Sequence, residues 1–142
     1  MDDRLERFHA AQRGDYQSAL QEIRAGRKRG HWMWYIFPQL VGLGRSRMAQ
    51  YYAVRDLEEA KAYMDDSILG QNLIEISQAL LEIDLDDALA VMGWPDNLKL
   101  KSSMTLFELA KPECKVFGKV LDKFYQGKRD ERTIELLGGS KV

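Results

Sequence analysis

The chain has 142 residues, 45% of them hydrophobic, and its 21 Lys and Arg against 22 Asp and Glu give a formal net charge of −1. A chain of this length buries about 70% of its unfolded surface, and this apolar content excludes a disordered polymer, so we expect one domain over residues 1–142. The longest apolar run has six residues, far below the roughly 20 that span a bilayer, and a pI near 6.1 excludes general nucleic-acid binding, which needs a dominant basic face.

Two helices are predicted in the first 26 residues. Asp2 or Asp3 is placed to cap the first helix and Asp15 the second, because an Asp side chain accepts hydrogen bonds from the N–H groups of a first helical turn. Gly26 is placed to end the second helix, since glycine adopts the left-handed conformation at low cost.

The same start and stop signals recur along the rest of the chain. Further helices are predicted after Ser46, Asp56, Ser67, Asp86 or Asp87, Asp96, Pro112 and Asp130, with Gly93, Gly127 and Gly138 as stops. The best periodic stretch, Leu69, Leu73, Ile76, Leu80 and Ile83, is spaced as one stripe of an α-helix and predicts the central helix. Because no polar and apolar alternation extends over six residues, we predict an all-α fold of about seven to eight short helices.

The first unusual segment is GRKRGHWMWYIFPQLVGLGRS, residues 26 to 46. Its basic residues either stabilise the C-terminal end of a helix or, beside an aromatic wall, form a clamp for phosphate or carboxylate. The apolar run WMWYIF fits a buried strand or a buried helical turn equally well, and it is either core or a wall for a planar ligand. The glycine turn before Ser46 is a weak signal for anion binding at a helix N-terminus.

The second segment is KLKSSMT, residues 99–105, where Ser102 and Ser103 interrupt a predicted helix. Paired serines are disfavoured in helix interiors, so these are either exposed or kept for hydrogen bonding. His31, at the border of the basic and apolar runs, is either a boundary residue or a general acid or base. No metal site or cofactor is predicted, because His9, His31 and Cys114 lack the spacing of metal ligands.

At these two segments the sequence resembles the bacterial family catalogued as domain of unknown function 1810, and the resemblance extends from LERFHAAQ to DERTIELLG. It implies a small all-helical fold, with WMWYIF helical, and it brings no established reaction. The chain differs from the usual pattern at Asp66-Ser67 and at Gln71-Asn72. Some members carry the label calpastatin, which we reject because that inhibitor is disordered and poor in aromatics.

We hypothesise that the protein binds a small anionic ligand, with nucleotides as one class. The residues predicted to supply charge, stacking or hydrogen bonds are Arg27, Lys28, His31, Trp32, Trp34, Gln39, Ser46, Lys101, Ser102, Ser103 and Thr105. The alternative is a helical module that binds a protein partner without catalysis. A purely structural role for both segments is favoured if Lys28 pairs with an internal carboxylate. The single cysteine, Cys114, cannot form an intrachain disulfide, which indicates a reducing, cytoplasmic setting.

Overall fold

The computed structural model describes residues 3–138, which form helices joined by short loops. A 3-10 turn, Asp3–Leu5, precedes α1 (Glu6–Arg24), α2 (Met33–Ile36), α3 (Arg47–Tyr51), α4 (Leu57–Asp65), α5 (Leu69–Glu82), α6 (Ala88–Met92), α7 (Asp96–Ala110), α8 (Val116–Tyr125) and α9 (Glu131–Leu136). Within residues 3–138 the one β-type pairing is an isolated parallel bridge between Leu40 and Val54. The all-α prediction is therefore confirmed, with nine α-helices in this range.

The predicted apolar stripe of α5 lies in the core. Leu69, Leu73, Ile76 and Leu80 are each at most 1% exposed, and Ile83 packs at the edge of the core. This helix contacts α1, α4 and α8, while α7 contacts α4, α6, α8 and α9. The centre of the fold is thus shared by α5 and α7. No helix within residues 3–138 is long and apolar enough to cross a membrane.

Four of the nine predicted helix starts are confirmed. Side chains at Ser46, Asp56, Asp87 and Asp130 accept hydrogen bonds from backbone N–H groups in the first turns of α3, α4, α6 and α9. The segment WMWYIF contains the short helix α2, so its helical alternative is the correct one. Five of its six side chains are buried in the hydrophobic core, and the sixth, Trp34, packs at its edge.

The prediction that Asp15 caps a second helix is wrong, because α1 runs without a break through this position. Asp15 instead accepts a hydrogen bond from the Tyr35 hydroxyl. The buried face of α1 continues across the proposed boundary, from Gln12 to Tyr16. The Gln12 amide donates to the Tyr35 carbonyl at 2.8 Å. Asp2, the alternative first cap, lies outside the described residues.

Three other predicted helix starts shift by one or more residues. The first turn of α5 is capped by Asp66, which accepts hydrogen bonds from the N–H groups of Ile68 and Leu69, and not by Ser67. Asp96 is the first helical residue of α7, and α8 begins at Val116 rather than directly after Pro112.

Candidate functional site

The two unusual segments of the sequence meet at an open cleft of about 240 Å³. Its lining residues come from the loop after α2, the first turns of α7 and the start of α9: Gln39, Leu43, Gly44, Pro95, Leu98, Lys99, Ser102 and Asp130. A concave surface that draws a few polar groups from separate elements is typical of a ligand site. Of the predicted ligand residues, the cleft contains Gln39 and Ser102.

Lys99 gives this cleft a positive charge and Asp130 a negative one. Its Nζ lies 3.6 Å from Asp96 Oδ1, while Lys28 Nζ lies 2.8 Å from the other oxygen of the same carboxylate. The Lys99 side chain is 25% exposed and that of Lys28 only 8%. Two lysines thus share one carboxylate, and the more accessible of them lines the cleft.

Two hydrogen-bond donors near Lys99 have no partner in the protein. Lys99 Nζ lies 5.6 Å from the centre of the Trp34 ring, and Trp34 Nε1 is buried without a hydrogen bond. Ser103 follows Lys99 by four residues, so both belong to one face of α7, and its buried Oγ also lacks a partner. These are two of four such atoms in the part of the chain that the structure describes. Buried polar groups normally form hydrogen bonds, so unsatisfied ones call for an explanation.

Ser102 and Thr105 are buried, and both hold the start of α9. Ser102 Oγ donates to Asp130 Oδ2 at 3.0 Å, and Thr105 Oγ1 accepts from the Asp130 backbone N–H at 2.9 Å. The same Asp130 oxygen accepts from the backbone N–H and the hydroxyl of Thr133. The Thr105 hydroxyl donates to the Lys101 carbonyl, which leaves it no free hydrogen-bond donor for a ligand.

Residues of the basic segment form hydrogen bonds and an ion pair with carboxylates of the same chain. Glu22 Oε1 accepts from Trp32 Nε1 and from the backbone N–H groups of Arg29 and Gly30, at 2.8 to 2.9 Å. Burial alone raises the pKa of Glu22, but these donors and the Lys28 charge outweigh it and hold the pKa below its usual range. Trp32 is 2% exposed and Lys28 Nζ lies 5.0 Å from its ring centre. Trp32 therefore has no open face for a ligand to stack on.

The other predicted ligand residues lie outside this cleft. Arg27 and His31 are exposed and do not line it, and the Ser46 side chain caps α3 by accepting from the Ala49 N–H. Lys101 lines an adjoining cleft of about 640 Å³ with Lys128, Arg129, Asp130, Glu131, Arg132 and Ile134. The two clefts share Asp130.

The sequence-based prediction missed Lys99, Asp96, Asp130 and Glu22 as residues of this region. A signal existed for Lys99, because it precedes Ser102 by three residues and Ser103 by four and therefore belongs to the same face of a helix. Asp96 and Asp130 were identified only as helix starts. Glu22 carries no local signal, since its partners follow the end of α1. Within residues 3–138 no three His, Cys, Asp or Glu side chains form a group that could hold a metal ion.

Comparisons with known proteins agree with this fold. The family model described as protein of unknown function, DUF1810, matches residues 2–137. The crystal structure of the conserved hypothetical protein Rv1873 from Mycobacterium tuberculosis is similar to the chain with 46% identity and a TM-score of 0.93, over 96% of this chain and 97% of that one. A comparison with curated proteins gives no match.

Proposed function

We propose, from the premise that the chain belongs to the DUF1810 family of unknown function, that it binds a small anionic ligand. The ligand lies in the cleft lined by Gln39, Lys99 and Ser102, and Lys99 supplies the charge. The observation that carries this proposal is the partly exposed Lys99 ammonium in the cleft, with two unsatisfied buried donors beside it.

The charges favour an anion over a neutral ligand. Lys28 pairs with Asp96 at 2.8 Å, so Lys99 shares that carboxylate at the longer distance of 3.6 Å. The other carboxylate of the cleft, Asp130, accepts from Ser102 and Thr133 through Oδ2, so the Lys99 ammonium is the group that attracts an anion. The indole N–H of Trp34 can only donate, and the Ser103 hydroxyl is a donor as well as an acceptor. The Lys99 ammonium suits a carboxylate or phosphate oxygen, because hydrogen bonds with charged partners are the strong ones. Trp34 and Ser103 do not line the cleft, so their donors gain a partner only from a ligand group that enters beside Lys99.

The dimensions of the cleft limit the ligand. Pockets for drug-sized molecules have volumes of about 300 to 1,000 Å³, whereas this cleft has about 240 Å³. It suits one anionic group, such as a phosphate or a carboxylate. A nucleotide-like ligand extends past Asp130 into the adjoining cleft of about 640 Å³, where Lys101, Lys128 and Arg132 add positive charge.

No reaction follows from this cleft. His31, the sequence-based prediction for a general acid or base, lines neither cleft. Gln39 lines the cleft beside Lys99 and offers both a donor and an acceptor, so its role is to orient the ligand. A cytoplasmic location remains an expectation that rests on the single cysteine.

The test is a titration of the purified protein with inorganic phosphate, acetate and adenosine monophosphate, followed by calorimetry and by tryptophan fluorescence. At least one of these anions is expected to bind, and Lys99→Gln is expected to weaken its affinity about 10- to 150-fold. This is the range for the loss of one charge-assisted hydrogen bond, about 1.5 to 3 kcal/mol. Trp34→Phe keeps an aromatic ring but removes the N–H donor, and it is expected to weaken the affinity for the same anion.

Lys119→Gln is the matched control, because Lys119 is an exposed lysine of α8 that does not line the cleft. The proposal is wrong if none of the three anions binds, or if the Lys99 and Lys119 variants bind with equal affinity. The ligand occupies both clefts if two results are obtained together. The wild type binds adenosine monophosphate more tightly than phosphate, and Lys101→Gln weakens the binding of adenosine monophosphate.

A further inference from the structure

Eight of the nine large hydrophobic side chains that are exposed in residues 3–138 fall into two groups. The first group, which we name the acidic surface, comprises Leu85, Leu89, Trp94 and Leu98 with the carboxylates of Glu82, Asp84 and Asp86. The second, which we name the basic surface, comprises Val41, Met48, Tyr51 and Leu136 with Arg45, Arg47 and Arg55. Scattered exposed hydrophobic residues are normal, but grouped ones mark interaction surfaces.

The acidic surface surrounds α6 and the start of α7. Leu89 and Leu98 line a cleft of about 430 Å³ together with Phe124 and Asp86, and Trp94, between them in sequence, is 75% exposed. Residues 82–98 include five Asp or Glu and no Lys or Arg. Asp96 among them pairs with Lys28 and Lys99, and Lys101 also lines this cleft. Asp86 forms no ion pair within residues 3–138, whereas the nearby Asp87 caps α6.

The basic surface surrounds α3. Met48 and Tyr51 are three residues apart and therefore share a face of this helix, which has no buried residue. Leu136 belongs here because it lies beside Gly42, where a Cβ atom would be 3.5 Å from its side chain. Residues 41–55 include three Arg and no Asp or Glu.

The two surfaces adjoin at one cleft. Leu98 of the acidic surface and the Leu43–Gly44 loop, which leads into the basic surface, line the same small cleft. A twofold symmetric dimer needs one continuous patch that is complementary to itself. Neighbouring surfaces of opposite charge meet this requirement, because the twofold rotation places each against the other.

We infer that these surfaces bind a second copy of this chain, so that the acidic surface of one protomer packs against the basic surface of its partner. The apolar side chains then leave water, and carboxylates face arginines in two equivalent contacts. The charges agree with this pairing, since residues 1–55 carry +5 and residues 56–96 carry −10. The inference does not depend on the proposed ligand.

Sedimentation velocity of the chain without added ligand tests the inference. A particle of twice 16.4 kDa is expected at micromolar concentration, and its dissociation constant is expected to rise with salt because screening weakens exposed charge pairs. Two charge-reversed variants are compared with the wild type: Asp84→Lys with Asp86→Lys, and Arg45→Glu with Arg47→Glu. Each is expected to weaken self-association at least tenfold. Trp94→Ser is expected to weaken it as well, through the loss of apolar contact.

Mixing the two charge-reversed variants is the decisive measurement. In the first variant both surfaces are basic and in the second both are acidic, so each repels itself while the pair is complementary. A heterodimer is therefore expected in the mixture. Ile68→Ser serves as the control, since Ile68 is exposed outside both surfaces, and it should leave the dissociation constant unchanged. A wild-type chain that stays monomeric at about 100 µM, a concentration far above the dissociation constant of a micromolar dimer, overturns the inference. So does a dimer that neither charge reversal weakens.

Discussion

At the scale of single residues, an internal carboxylate decides which lysine of this region remains accessible to a ligand. Lys28, which the sequence presents as an exposed clamp, has a side chain that is 8% exposed and pairs with Asp96 at 2.8 Å. Its Nζ also donates to the Gly30 carbonyl and lies over the Trp32 ring. These three contacts favour the structural role for Lys28 over the clamp, and they leave Lys99 as the lysine that is open to a ligand.

We predict that Lys28→Ala destabilises the protein by about 1.5 to 3 kcal/mol, the range for a hydrogen bond to a charged group. The substitution leaves Asp96 with the more distant Lys99 as its one cation and opens space beside Trp32. Urea denaturation measures the change. Arg27→Ala is the control, because Arg27 is exposed and surface substitutions usually stay within about 0.5 kcal/mol. Equal midpoints for the two variants would mean that the ion pair contributes nothing to folding.

At the scale of helices, the ends are satisfied by local caps in some places and by distant side chains in others. No glycine closes α5, and its C-cap residue, Ile83, is extended. Lys123, on α8, instead donates to the carbonyls of Leu80, Leu81 and Ile83 at 2.6 to 3.2 Å. A cation at a helix C-terminus also interacts favourably with the helix dipole. The ammonium of Lys123 therefore joins the two helices.

Because Lys123 replaces a C-cap, Lys123→Ala is expected to lower the free energy of unfolding by about 1.5 to 3 kcal/mol. Three carbonyl oxygens lose their charged donor in this variant. Hydrogen exchange measures the local effect. In this variant the amides in the last turn of α5 should exchange faster than in the wild type, while the exchange of α1 amides changes less. Lys119→Ala, on the exposed side of the same helix, should change neither measurement. A result in which both lysine variants behave alike would rule out the capping role.

Caps that act within one turn could be predicted from the sequence, and those that depend on tertiary contacts could not. Ser46, Asp56 and Asp130 each accept from an N–H group three residues ahead, so the local pattern contains the whole interaction. Asp15 is an aspartate like Asp56 and Asp130, yet its carboxylate accepts a hydrogen bond from Tyr35 of another helix. Tertiary packing there overrides the local propensity.

The candidate site was predictable to the same limited extent. Its two segments were identified because their polar residues did not fit a packing pattern, and they do line one cleft. The sequence could not separate the lysine that pairs internally from the one that remains accessible. That difference depends on Asp96, which begins a helix far from Lys28 along the chain.

At the scale of the whole molecule, two carboxylates connect the pH of the solution to the stability of the fold. Burial raises the pKa of Asp66, but hydrogen bonds from the Leu69 N–H, His9 and the Ile68 N–H lower it below its usual range. The pKa of Glu22 is lowered against burial in the same way, by the loop N–H groups and the Trp32 indole. Both groups bind protons more weakly when folded than when unfolded, so they favour the folded state where they are ionised.

The Glu22 carboxylate gives this linkage a direct test. Because its pKa is lower in the folded state, its stabilisation is complete above the unfolded pKa of about 4.3 and is lost as the pH falls through the folded value. Glu22→Gln is therefore expected to be about 1 to 3 kcal/mol less stable than the wild type at pH 7, with a difference that shrinks steadily below about pH 4. Urea denaturation at several pH values between about 3 and 7 measures both. Glu113→Gln, on the exposed loop before α8, should match the wild type throughout. A Glu22 variant whose deficit is as large at pH 3 as at pH 7 would show that the loss comes from packing and not from the charge.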